Sequence, residues 1–116
     1  MDILNVYCDL KAGVRDTDFS DAVSRLLISL RDEERIRGFR VTRRKLGLGP
    51  PALPEWHISI DFDNLAQLDR AFSLMASRSE PIETLHQAVN SRAANLMIAL
   101  YRDFPDPERV RGQEKF

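Results

Sequence analysis

The sequence predicts an α+β domain of the ferredoxin-like class, with four strands and two helical regions in the order βαββαβ. Four short segments alternate between apolar and polar residues, and stretches with helical periodicity lie between them. The clearest alternation covers residues 56–62, where Trp56, Ile58, Ile60 and Phe62 share one side because successive strand side chains point to opposite faces. The predicted sheet therefore has one apolar face for helices and one polar face.

Turn residues and alternation place the strands along the chain. The first strand covers residues 3–10 and ends before Gly13, the second begins at Gly38, and the last covers residues 94–104. The segment 46–54 must be a loop, because proline lacks the N–H group that a sheet requires. With right-handed crossovers the four strands take the spatial order 4-1-3-2, a four-stranded antiparallel sheet with helices on one face.

Each helical region combines a capping side chain with an apolar stripe. The first helix begins at Asp16 or Thr17 and the second at Asp63 or Asn64, since such side chains accept bonds from free helix N–H groups. Pro81 then precedes a further short helical stretch. Residues at helical spacing are predicted to face the sheet: Phe19, Val23, Leu26, Leu27 and Leu30 in the first helix, Leu65, Leu68, Phe72 and Met75 in the second, and Ile82, Leu85 and Val89 in the short stretch.

The length and the net charge of the chain limit which classes of protein it can belong to. The 116 residues and the formal net charge of −1 predict one domain over residues 1–104, a charged tail over residues 105–116, and no nucleic-acid partner. We expect no membrane partner, because no apolar stretch approaches the ~20 residues that cross a bilayer. The N-terminus lacks the pattern of a signal peptide, and the single cysteine, Cys8, fits a reducing compartment. We therefore expect a cytoplasmic protein with Cys8 in its core.

The predicted helix-free face of the sheet has the composition of an interface. It carries no Lys or Glu at its central positions, whereas protein interfaces are enriched in Tyr, Met and Arg. This pattern favours a homodimer in which two such faces meet, and a solvated face is the alternative. The residues of this face are Asn5, Tyr7, Asp9, Arg40, Thr42, Arg44, His57, Ser59, Asp61, Asn95, Met97, Ala99 and Tyr101.

Three short motifs resemble known families. Residues 9–16 (DLKAGVRD) resemble the end of the first strand in stress-responsive dimeric α/β-barrel domains. Residues 43–51 (RRKLGLGPP) and 100–105 (LYRDFP) resemble small bacterial proteins described only as dimeric ferredoxin-like, of unknown function. The resemblance implies a ferredoxin-like protomer that pairs sheet to sheet into a barrel, sometimes around a small-molecule cavity.

The chain also departs from the stress-responsive pattern. Leu4 occupies the position where those domains often carry a histidine, and Ala12 replaces the proline of their turn. His86 is the candidate for their second histidine. Because the first histidine position is lost, no catalytic residue is carried over, and related barrels perform too many reactions for the fold to select one.

Assumed strand registers predict a polar cluster around His57. Pairing strands two and three evenly around their loop places Arg40 opposite Asp61 and Arg44 opposite His57. Pairing Tyr7 with Ser59 places Asp9 opposite His57, close enough for side-chain contact. We then expect the Asp9 carboxylate to raise the pKa of His57 and the Arg44 guanidinium to lower it.

This cluster is the predicted ligand site. A small polar or anionic molecule would be held by the arginines, stacked against the tyrosines, and exchange a proton with the histidine. The alternative is that these groups satisfy one another at the seam of the dimer. The residues of the predicted site are Tyr7, Asp9, Arg40, Arg44, His57, Asp61 and Tyr101.

Other chemistries lack a sequence signal. His57 and Asp61 share a strand face but lie about 13 Å apart, too far for one metal ion, and no cofactor motif is present. The loop over residues 46–54 lacks the lysine of a phosphate loop, and its Leu46, Leu48 and Leu53 favour a loop folded over a partner or a pocket mouth.

Three functions stay open at this point. The first is stress-associated or other small-molecule binding inside the barrel. The second is a small cofactor-independent enzyme of the monooxygenase or isomerase type, and the third is a purely structural dimer. The sequence leaves undecided whether any reaction is catalysed.

Overall fold

The computed structural model describes residues 1–113 and has a four-stranded sheet in the order β2-β3-β1-β4. All three neighbouring strand pairs are antiparallel, which confirms the predicted ferredoxin-like class and strand order. Residues 114–116, the end of the predicted tail, lie outside the described part. The elements are β1 (Asp2–Leu10), α1 (Asp16–Asp32), β2 (Gly38–Arg43), β3 (Trp56–Phe62), α2 (Leu65–Ala76), α3 (Ile82–Asn90) and β4 (Ala93–Arg102).

The core lies between α1 and the helix face of β1 and β3. Phe19 of α1 is fully buried and meets the edge of Trp56 at a centroid distance of 5.2 Å. Cys8 is also buried, and this burial, with the Asp9 charge beside it, raises the pKa of its thiol to about 11. Cys8 is therefore a core residue, as the sequence predicted, and a poor nucleophile because the thiolate is the reactive form.

The helix starts agree with the sequence in one case and differ in the other. Asn64 caps α2, and its Oδ1 accepts a bond of 2.9 Å from the backbone N–H of Gln67. The prediction that Asp16 or Thr17 caps α1 is wrong: Arg15 precedes the helix with no side-chain cap bond. The Asp16 carboxylate instead accepts from the adjacent Thr17 N–H, at the first helical position.

The buried side of α2 also differs from the predicted stripe. Gln67 and Ala71 are its buried residues, whereas Leu65 and Phe72 are exposed. The Gln67 side chain accepts from the Asp63 N–H and donates to the Glu34 carbonyl, which holds this side of the helix inward. Hydrogen bonding by a glutamine thus overrides the apolar pattern at the start of α2.

The strand registers are shifted by two residues from those assumed. His57 lies opposite Tyr7 on β1 and Thr42 on β2, rather than opposite Asp9 and Arg44. Arg40 lies opposite Ser59 instead of Asp61. A slip of two residues keeps every side chain on its own face, so apolar alternation cannot distinguish these registers, whereas a slip of one would reverse the faces.

The edge strand β4 is exposed on both faces. Its pairing with β1 shifts register near Asn95, which has a φ of +55°, as in a β-bulge. Leu96, Ile98 and Leu100 lie on the helix face as predicted, yet they are 56%, 58% and 52% exposed. The helix layer therefore leaves this edge of the sheet uncovered.

Truncation of the buried aromatic in α1 tests this description of the core. Phe19→Ala is expected to lower the free energy of unfolding by about 3–5 kcal/mol, because it leaves a cavity in a packed layer. Leu65→Ala, a matched change at an exposed helical position, is expected to stay within about 0.5 kcal/mol of the parent. Urea denaturation measures both values, and equal effects would contradict the burial of Phe19.

Candidate functional site

His57 lies at the centre of the helix-free face, in contact with β1. Its ring stacks on Tyr7 with centroids 4.6 Å apart and planes 12° from parallel. Its Nε2 lies 2.8 Å from Oδ1 of Asn5, a largely buried residue. Because the Asn5 amide nitrogen donates to the Ile3 and Ala99 carbonyls, its oxygen is the acceptor, and His57 Nε2–H donates to it.

This environment favours the neutral form of His57. Burial lowers the pKa of His57, since the charged imidazolium loses solvation. The expected flanking by Asp9 and Arg44 is wrong, because the observed register puts an aromatic ring and a neutral amide beside the imidazole. His57 is thus a positioned hydrogen-bond donor on this face.

The Asp9 side chain forms its hydrogen bonds at the β-bulge and not with His57. One of its carboxylate oxygens accepts from Nδ2 of Asn95 at 3.0 Å, and the other accepts from the backbone N–H of Glu55 at 3.0 Å. These two bonds lower the pKa of Asp9, with a smaller contribution from the Arg44 guanidinium. Asp9 therefore ties β1 to β4 and to the start of β3.

Arg44 holds the loop between β2 and β3. Its guanidinium donates to the carbonyls of Leu53 and Pro54. Gly49 packs closely against the same side chain: a Cβ atom added to Gly49 would lie only 2.5 Å from the Arg44 Nε. The loop can fold this closely over the side chain because residue 49 is a glycine. Arg44 thus acts as an internal support for residues 45–54.

The remaining predicted residues lie apart from His57. Arg40 is exposed opposite Ser59, Asp61 lies near Gly38, and Tyr101 is exposed opposite Ile3. The structure therefore joins Tyr7 to His57, keeps Arg44 close enough to Asp9 for a charge interaction, and places Arg40, Asp61 and Tyr101 elsewhere on the sheet. A ligand-binding role for these residues stays a prediction.

Two asparagines with central positions were absent from the predicted site. Asn5 and Asn95 were assigned to the helix-free face, but their contacts with His57 and Asp9 depend on the register and on the bulge. An asparagine inside a strand is the sequence signal for both, because this residue is depleted in strands and is enriched among residues with positive φ.

A second candidate site lies on the opposite side of the sheet. A cavity of about 410 Å³ lies between the helices and the sheet, beside the packed core. Its walls are almost entirely carbon and come from all three helices and three strands. Its lining includes Leu4, Val6, Val23, Leu27, Ile58, Ile60, Phe72, Met75, Val89, Leu96 and Ile98.

The cavity opens towards β4 and has few polar groups. The exposed lining residues Phe72, Leu96 and Ile98 mark the opening. Two polar residues of α3, His86 and Asn90, also line it, with the His86 Nε2 and the Asn90 amide nitrogen 3.3 Å apart. The amide nitrogen donates, so in neutral His86 the second nitrogen, Nδ1, carries the proton.

Neither metal ligation nor a membrane span adds a site. Within residues 1–113, no three His, Cys, Asp or Glu side chains are grouped to hold a metal ion. Within the same residues, no helix has the length and hydropathy to cross a membrane.

The match to a family model covers the whole chain, residues 1–116. The chain belongs to the family of unknown function DUF6614. No curated protein matches the sequence of this DUF6614 member significantly.

Solved structures share the fold of the DUF6614 chain at low sequence identity. At3g17210 from Arabidopsis thaliana has a TM-score of 0.67 and 9% identity, covering 89% of this chain and 95% of its own. A dimeric ferredoxin-like protein of unknown function from Jannaschia sp. CCS1 has a TM-score of 0.65 and 11% identity, and the match covers 88% of this chain and 98% of that protein. SnoaB, a cofactor-independent oxygenase from Streptomyces nogalater, has a TM-score of 0.63 and 8% identity, and the match covers 93% of this chain and 98% of SnoaB.

Acid titration tests the neutral state of His57. Because its folded pKa is lowered, the unfolded chain binds the proton first, and the free energy of unfolding should fall as pH drops below about 6.5. His57→Gln, which retains a donor for Asn5, should make this decline shallower between pH 7.5 and 5.5. Urea denaturation across that range measures it, and an unchanged decline would contradict a lowered pKa.

Proposed function

We propose that this protein is a homodimer that binds a small, largely apolar organic molecule in the cavity between its helices and its sheet. The observation that carries the proposal is the cavity of about 410 Å³ with its carbon walls. Ligand pockets in proteins have this size range, and they combine apolar walls with a few polar groups.

The polar groups at the opening narrow the class of ligand. His86 and Asn90 offer hydrogen bonds at one place, whereas the rest of the lining is nearly all carbon. A matching molecule has an apolar, ring-containing or branched body and one polar group, such as a hydroxyl or a carbonyl. A highly charged molecule fits poorly, because the described lining contains no arginine or lysine that would compensate its desolvation.

The helix-free face is the proposed dimer interface. Met97 and Tyr101 are exposed there, and no helix within residues 1–113 covers them. The similar protein from Jannaschia sp. CCS1 is described as dimeric, which supports the same assembly here. In this proposal the protein works in the cytoplasm, and the cluster around His57 orients two sheets against each other or contributes to a polar site between them.

An oxygenase reaction in the same cavity is the second candidate function. The fold shared with SnoaB, a cofactor-independent oxygenase, favours it, together with an imidazole at the cavity opening. In this function the His86 imidazole exchanges a proton with the polar group of a bound molecule. A small molecule that co-purifies with the protein would be extracted, identified and added back to the protein. Oxygen uptake after this addition supports an enzyme, whereas recovery of the molecule unchanged supports a binding protein.

A plug at the cavity opening tests the binding site. Ala76→Trp adds a large side chain at an exposed lining position, so the affinity for the uncharged apolar fluorophore N-phenyl-1-naphthylamine should fall at least about tenfold. Ala66→Trp, also exposed on α2 but outside the lining, should bind like the parent. Fluorescence titration measures both. Equal affinities in the two variants would remove the cavity as the binding site.

A charge on the helix-free face tests the assembly. The parent is expected to have the mass of a dimer, and Met97→Asp should raise the dissociation constant at least about tenfold by placing an unpaired carboxylate in the interface. Leu65→Asp, at an exposed helix start that tolerates a carboxylate, should leave the dimer intact. Sedimentation velocity measures the mass, and a monomeric parent would refute the assembly.

A further inference from the structure

We propose that a second copy of the chain completes the cavity: the tip of its β2–β3 loop, residues 46–48, covers the opening beside Leu96 and Ile98. This inference rests on the proposed homodimer. It names the contribution that the partner copy makes to the binding site, which in a single protomer is open to solvent beside Leu96 and Ile98 of β4.

The loop tip is apolar, exposed and held in a fixed shape. Leu46 and Leu48 are 83% and 76% exposed, the most exposed large apolar side chains in the described part of the chain. The backbone around them is nevertheless ordered by bonds from the Leu48 N–H to the Lys45 carbonyl and from Arg44 to the Leu53 carbonyl. Internal packing gives no reason for leucine at either position.

Leu46 also has a backbone conformation that disfavours its side chain. Its φ of +59° lies in the left-handed region, where Gly, Asn and Asp are more common than leucine. Strained residues cluster at ligand clamps and other functional sites, so the strain at this exposed leucine agrees with a contact outside the protomer.

The opening of the cavity offers a complementary surface. Leu96, Ile98 and Leu100 form an exposed apolar row on the helix face of β4, and the first two line the cavity. The same strand carries Met97 and Tyr101 on its other face, inside the proposed dimer interface. A segment that passes around the edge of β4 would therefore extend that interface without a gap.

We place the two-fold axis parallel to the strands, and this axis brings the two surfaces together. In the order β2-β3-β1-β4, rotation about an axis parallel to the strands reverses left and right, so β2 of one copy lies opposite β4 of the other. Such a rotation keeps positions along the strands unchanged. The β2–β3 loop leaves the sheet at the end where β4 begins, beside Ala93 and Leu96. The loop tip of one copy thus lies nearest the cavity opening of the other.

Within one protomer the same contact is out of reach. The loop joins β2 and β3, which lie three and two strand spacings from β4, or about 14 and 10 Å. A disulfide requires Cα atoms within about 7 Å. A bond between cysteines at positions 48 and 96 therefore reports a contact between copies.

Cysteine cross-linking tests the inference. The double variant Leu48→Cys/Leu96→Cys is expected to form a dimer-mass species on mild oxidation, whereas Leu48→Cys alone, Leu96→Cys alone and Leu65→Cys are not. Native Cys8 does not interfere, because it is buried and its raised pKa keeps the thiol protonated. A dimer-mass species from Leu96→Cys alone shows that this residue meets its own symmetry mate, which the proposed axis does not allow, and it overturns the inference, as does the absence of a dimer-mass species from the double variant.

Binding measurements separate this inference from the proposed function. Leu48→Ser should weaken N-phenyl-1-naphthylamine binding about three- to tenfold and leave the dimer mass unchanged, while Leu65→Ser should change neither. A parent that is dimeric and binds the fluorophore, but shows no effect of Leu48→Ser, retains the proposed function and loses the role of the loop. A monomeric parent, or one that does not bind, refutes the proposed function itself.

Discussion

The helix layer is narrower than the sheet that it covers, and the rest of the structure depends on this mismatch. Phe19 and its neighbours in α1 pack on β1 and β3, but Leu96, Ile98 and Leu100 of β4 keep more than half of their surface in water. Apolar surface left in water forgoes about 25 cal/mol per Å². The uncovered edge and the cavity beside it are two results of the same shortage of helical cover.

The β-bulge determines which side chains of β4 face the helices at the uncovered edge. Ala93 and Leu96 are three residues apart, so in a regular strand they would point to opposite faces. The register shift at Asn95 inserts one residue, and both side chains then line the cavity. The bond from Asn95 to Asp9 stabilises this arrangement from the helix-free face. A polar contact on one face of the sheet thereby determines which apolar groups appear on the other.

Most of the fold could be predicted from the sequence, because alternation and helical periodicity report which face each residue occupies. The register could not, since a slip of two residues leaves the faces of Tyr7 and His57 unchanged. The contents of the helix-free face were thus predicted, but its contacts were not. The cavity left no sequence signal, because apolar residues that line a void, such as Val23 and Ile58, look the same as those that fill a core.

The two faces of the sheet differ in how far their polar atoms are already engaged. On the helix-free face, both the amide nitrogen and the amide oxygen of Asn5 form hydrogen bonds within the chain. Both carboxylate oxygens of Asp9 likewise accept hydrogen bonds from other residues of the chain. A ligand there would have to replace bonds that folding already provides, and such replacement brings little net free energy. In the cavity, an apolar molecule covers carbon walls that make no hydrogen bonds, and the two polar side chains of the lining, His86 and Asn90, share a single bond between them. The proposed ligand is therefore better accommodated on the side of the helices, and the proposed association between copies on the other.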